Sequence, residues 1–154
     1  MTTEPVVPRF PARAPTVLLR EILDVTDDFE AHLGRELAVN ATDLKAMEHL
    51  ISTGPLSPTE LARRLAISTA AATTVVDRLV AANHVTRSQH PTDRRGIIVA
   101  AAPKSIARAM GTLMPMIMGI DNVLDDFGPD EQAVIAEYLE RVRDVYRAQL
   151  PPAG

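Results

Sequence analysis

Arg94 and Arg95 follow Asp93 in a polar turn between two short strand-like runs, and their chemistry stands out first. A guanidinium forks onto phosphate and fits a narrow minor groove. Upstream, Thr73 and Thr74 share a helical face with Ala70, Asp77 and Arg78. Such small outward side chains let a helix approach a base edge closely. A Thr methyl can meet the thymine methyl, and a Thr hydroxyl can bond a base or a phosphate. Asp77 reads differently: a carboxylate facing phosphate would repel it, so pairing with a nearby arginine is expected. No catalytic constellation competes, because the chain has no Gly-rich phosphate loop, no nucleophile with a base and no paired acids in a plausible cleft. An enzyme is not expected. The four histidines, His32, His49, His84 and His90, lack metal-ligand spacing. The absence of cysteine excludes disulfides, thiolate zinc and thiol-based redox sensing. No cofactor is expected.

These residues need a scaffold. Pro5, Pro8, Pro11 and Pro15 predict an extended or disordered arm over residues 1–15. Ile22, Val25, Phe29, Leu33 and Leu37 then recur at helical spacing, predicting a helix from residue 16 to near Leu37. A second helix over Asp43–Ser52 is capped by Asn40 or Thr42 and stopped by Gly54-Pro55. Ser57-Pro58-Thr59-Glu60 predicts a third helix starting at Pro58, with Ser57 as cap and Glu60 returning the hydrogen bond. Arg63 and Arg64 face outward from it. Ser68 caps a fourth helix, about Thr69–Ala82, which turns Ala72, Val75, Val76, Leu79 and Val80 inward. Val85–Ser88 and Ile97–Ala101 read as strands around a His90–Asp93 turn, a wing-like hairpin. Pro103 opens a fifth helix that Pro115 should bend. Its Met110, Met114, Met116 and Met118 form an adaptable apolar surface suited to a core or a subunit interface. A sixth helix, about Asp130–Gln149, starts acidic and ends basic, matching the helix dipole.

The 154 residues suffice for one compact domain, and no apolar run approaches the roughly 18 residues a membrane span needs. No signal-like N-terminal layout is present, so a cytoplasmic protein is expected. The net charge of −4 conceals a polarity. Between residues 57 and 104 stand Arg63, Arg64, Arg78, Arg87, Arg94, Arg95 and Lys104 against only Glu60, Asp77 and Asp93. One face suited to phosphate and an acidic remainder follow from that distribution.

In this order and spacing, Leu61-Ala62-Arg63-Arg64-Leu65, Asp77-Arg78-Leu79-Val80 and Asp93-Arg94-Arg95 resemble the MarR (multiple antibiotic resistance regulator) family of winged helix-turn-helix regulators. The resemblance implies a mainly α fold with a small β-hairpin. A winged helix-turn-helix core, about residues 41–102, would be flanked by long dimerisation helices, about 16–37 and 103–149, within a single domain over 16–150. It implies a homodimer on double-stranded DNA, whose two recognition helices enter successive major grooves of a pseudo-palindromic operator. Carried over by position, Ser68, Thr69, Ala70, Ala71, Thr73 and Thr74 face bases and phosphates; Arg78 meets the backbone; Arg94 and Arg95 form the wing tip; and Asp93 orients a wing arginine, with Arg87 also counted among the DNA-binding residues. A small hydrophobic or aromatic-acid effector would bind near His32, Met47 and Met110. The sequence departs from the family in Thr74, where relatives carry a longer side chain, and in Ala101-Ala102-Pro103-Lys104 after the wing. A winged-helix protein-interaction module is the alternative; weak dependence of binding on salt would favour it.

Overall fold

The computed structural model describes residues 12–151. Most of the Pro-rich arm, residues 1–11, lies outside the described residues. Six α-helices and one hairpin follow in the order α1 (Ala14–Leu37), α2 (Ala41–Thr53), α3 (Pro58–Leu65), α4 (Thr69–Ala81), β1 (Val85–Gln89), β2 (Ile97–Ala101), α5 (Pro103–Asn122) and α6 (Pro129–Ala148). A single 3-10 turn, Val123–Asp126, precedes α6. Helix α1 starts before residue 16 and takes in Pro15, which occupies its first turn. Pro15 therefore belongs to the helix and not to the arm: its fixed φ suits that turn, where an N–H has no helical partner anyway.

Short-range caps set the other starts. Asn40 accepts from the Asp43 N–H at 2.8 Å and Ser57 from the Glu60 N–H at 3.1 Å. Ser68 accepts from the Ala71 N–H at 3.1 Å. The capping box at α3 is only half made. Glu60 does not return to Ser57; its carboxylate bonds Arg63 at 3.0 and 2.6 Å and Arg64 at 2.9 Å. Two guanidiniums one turn along outcompete one backbone N–H. Helices α1, α3 and α4 are followed by left-handed residues, Ala38 (φ 55°), Ala66 (φ 53°) and Asn83 (φ 60°). After each, an N–H reaches back into the last turn: Val39 to the Gly34 carbonyl, Ile67 to Ala62 and His84 to Leu79.

The chain divides into two compact units, residues 1–109 and 110–154, with the boundary inside α5. In the first, Ala46, Met47 and Leu50 of α2, Leu61 of α3, Val75, Val76 and Leu79 of α4, and Val85 and Val99 of the hairpin form one buried cluster. The hairpin pairs Val85 with Ala101 through Gln89 with Ile97. Leu56 extends it, exchanging both backbone bonds with Val99 at 3.0 and 2.8 Å. This third strand segment fixes the loop before α3 to the wing. His84, which links α4 to β1, is buried. Its Nδ1 lies 2.8 Å from Ser105 Oγ and its Nε2 2.8 Å from the Leu37 carbonyl. A carbonyl only accepts, so Nε2 carries a proton, and in the neutral ring Nδ1 accepts from the Ser105 hydroxyl. One side chain thus ties the end of α1, the root of the wing and the start of α5.

The second unit contains the rest of α5, the 3-10 turn and α6. None of its described residues is buried. Met114, Ile117, Met118 and Ile120 of α5, and Val134, Leu139, Val145 and Tyr146 of α6, are exposed. On α1, Val17, Leu18, Ile22, Leu23 and Val25 are exposed as well.

Candidate nucleic-acid interface

Caps and core position α4. Ala72, Val75, Val76 and Leu79 are buried, so the helix can present only the opposite face. Ser68, Thr69, Ala70, Ala71, Thr73, Thr74, Asp77 and Arg78 are exposed on it. The hydroxyls of Thr73 and Thr74 donate to the Thr69 and Ala70 carbonyls at 3.0 and 3.2 Å. Their protons are turned along the helix.

The cationic residues divide into those held by carboxylates and those that are not. Arg78 grips Asp43 of α2 through two hydrogen bonds of 3.0 and 2.5 Å, and the Asp43 side chain is only 6% exposed. The carboxylate raises the already high pKa of Arg78. The family pattern puts Arg78 on the DNA backbone; in the structure it is engaged in holding α4 against the first turn of α2, with a partner 35 residues away in the chain. Arg87 of β1 bonds Asp77, the arginine partner expected for that carboxylate. Arg63 and Arg64 share Glu60. Among the described residues, Arg94, Arg95 and Lys104 form no ion pair.

The wing is shaped from inside. His90 N–H bonds the Gly96 carbonyl at 2.9 Å, and the His90 ring nitrogen accepts from the backbone N–H groups of Thr92 and Asp93. A Cβ at Gly96 would stand 3.1 Å from His90 Cβ, a tight approach that glycine avoids. Asp93 accepts from the backbone N–H of Arg95 at 3.0 Å. It therefore orders the turn that carries the arginines. It bonds neither wing guanidinium, because its short side chain already satisfies the N–H two residues on; any orienting of an arginine runs through the backbone. Arg87, Arg94 and Arg95 line one open cleft of about 330 Å³ with Gln89 and Gly96.

The expected effector residues sit in different settings. Met47 is 1% exposed inside the core cluster and offers no surface to a ligand. His32 is exposed on α1 beside Phe29, with ring centroids 6.4 Å apart. Met110 is half-buried and lies in the other unit. The cleft between α1 and α2, about 310 Å³, is lined instead by residues that include Glu30, Gly34, Leu44 and Lys45. Sequence reasoning misses His84 and Asp43, since no local pattern announces a side chain whose partners are remote.

The paired arginines leave a measurable mark on Glu60. Hydrogen bonds from Arg63 and then Arg64 lower its pKa to about 2. A depressed carboxylate stabilises the fold above its unfolded pKa near 4.5, and that contribution fades as pH falls toward 2. Carboxyl carbon NMR should find Glu60 titrating well below 4.5. A midpoint near 4.5 would show that both arginines are free to meet phosphate.

Residues 39–97 match the MarR family. The chain is 26% identical over 133 residues to an uncharacterized HTH-type transcriptional regulator, YcgE, of Bacillus subtilis, covering 86% of each protein. It is 31% identical over 71 residues to the multiple antibiotic resistance protein MarR of Salmonella typhimurium, covering 46% of this chain and 49% of that one. In fold it is similar to a MarR-like transcriptional regulator from Thermotoga maritima, with a TM-score of 0.65 at 23% identity over 88% of this chain and 98% of that one.

Proposed function

Because the chain belongs to the MarR family of winged helix-turn-helix transcriptional regulators, we propose that it is a homodimeric, sequence-specific DNA-binding repressor. The observation that carries this reading is the separation of charges. Four arginines are held by carboxylates to shape the domain, while Arg94 and Arg95 at the wing tip remain unpaired among the described residues, next to an α4 face of small side chains. α4 would enter the major groove and the wing would follow the flanking backbone or minor groove.

The dimer is supported by the second unit, which exposes Ile117, Ile120, Val134 and Leu139 and has no buried residue among those described. Apolar surface on this scale is covered in a stable protein, and a second copy of the same helices covers it symmetrically. Repression follows if the dimer occupies a promoter. A small hydrophobic or aromatic-acid effector would relieve it by favouring a separation of recognition helices that misses one of two half-sites. The α1–α2 cleft is the place to look for it.

Fluorescence anisotropy with a duplex from the gene's own upstream region, at two salt concentrations and beside a scrambled duplex, tests the reading. Tight, salt-sensitive binding that prefers the upstream duplex is expected. Salt-insensitive or absent duplex binding would favour a protein-interaction module.

A further inference from the structure

We infer that α4 reads A·T pairs, through the thymine methyl and the adenine amino group, and that guanine has no reader on this helix; the inference rests on the DNA-binding reading above. Base recognition in the major groove is a matching of donors, acceptors and methyls. Guanine shows two acceptors, N7 and O6, and is read by donors, chiefly arginine or lysine. An A·T pair shows a methyl, the adenine N6 amino donor, and the acceptors N7 and O4.

The methyls in the middle of the α4 face match only the A·T pattern, because its acceptors could meet the amino group of adenine or of cytosine but thymine alone carries a methyl. Ala70 and Ala71 offer methyl groups. Thr73 and Thr74 have given their hydroxyl protons to the Thr69 and Ala70 carbonyls, so each shows outward a methyl and an oxygen that accepts. Asp77, next along the face, is acceptor-only and already bonded by Arg87. Arg78, the one arginine on α4, is turned to Asp43. A guanine beneath this face would lose water from N7 and O6 and gain no donor, the costly case of a buried unpaired acceptor.

The hydroxyls with protons to spare lie one turn earlier. Ser68 Oγ accepts from Ala71 and keeps its own proton, and Thr69 Oγ1 makes no hydrogen bond among the described residues. They stand at the helix N-terminus, where donors and dipole suit phosphate. Independently of α4, the wing presents Arg94 and Arg95 in a cleft shared with Arg87. Guanidiniums of this kind favour the narrow minor groove of A·T-rich flanks. Helix and wing therefore select in the same direction.

The test is selection of bound duplexes from a randomised pool by the full-length protein, followed by replacement of each enriched thymine with deoxyuridine, which removes only the methyl. A·T enrichment is expected beneath α4. Each uracil at those positions should weaken binding by about fourfold, the value of one buried methyl. In Thr73→Ser and Thr74→Ser, which keep the hydroxyl and lose the methyl, that uracil penalty should shrink toward none. Enrichment of G·C beneath α4, or tight binding untouched by uracil, would overturn the inference and leave DNA binding standing. If no duplex is bound in a salt-sensitive way, the DNA-binding reading falls and takes this inference with it.

Discussion

Arg94→Ala/Arg95→Ala is expected to bind operator DNA on the order of a hundred- to a thousandfold more weakly than the parent at physiological salt, and with a much flatter salt dependence. Each phosphate-bound guanidinium releases close to one counterion, so removing one guanidinium from its phosphate lowers the slope of log K against log salt by about 1. The proposed dimer carries two wings, and the double variant removes both arginines from each. The four other arginines of residues 57–104 cannot substitute easily, because Glu60, Asp43 and Asp77 already hold them. Both wing side chains are exposed and unpaired among the described residues, so their truncation should leave the thermal midpoint unchanged. Anisotropy at several salt concentrations checks the affinity, and calorimetry checks the fold. An unchanged slope would remove the wing from the mechanism.

His84→Ala should lower unfolding stability by on the order of 3–5 kcal/mol, the largest effect expected of any single polar residue here. The substitution leaves Ser105 Oγ and the Leu37 carbonyl without their partner in a buried site. Each such orphaned group costs roughly 1–3 kcal/mol, and the vacated ring volume adds a cavity term. Ser105→Ala is the milder companion: it removes one bond and leaves the ring tied to Leu37, so destabilisation of about 1 kcal/mol is expected. Urea titration of the three proteins measures both. A change below about 1 kcal/mol in His84→Ala would mean that water replaces the ring at little cost.

The wheel of α4, the caps Ser57 and Ser68, the strand Ile97–Ala101 and the start of α5 at Pro103 are legible in the sequence, because each depends on neighbours within about one turn of helix or on a short β-branched apolar run; the cap of α2 is narrowed only to Asn40 or Thr42, and Asn40 makes the bond. Asp77 is also readable as an ion-pair partner, since a carboxylate on a face suited to phosphate would repel it unless a cation neutralises it. Local patterns fail where a second partner competes or lies far off. Glu60 satisfies the pattern of a capping box, yet the pattern cannot weigh Arg63 and Arg64 against the Ser57 N–H. Arg78 resembles a surface cation because its partner, Asp43, sits on another helix. Met47 looks available to a ligand, and only the assembled core shows it enclosed by Leu50, Leu61 and Val76. Leu56 gives no strand signal because a single bridged residue has no period.

The second unit, with every described residue at least partly open to solvent, has a consequence for how much of this protein a cell must keep. If α5 and α6 are completed only by a second copy, the fold of that unit is a property of pairs, and its stability depends on protomer concentration. Dilution would then expose the unpaired helices to proteases. The lowest level at which such a chain keeps its fold would then be set by how tightly two copies pair.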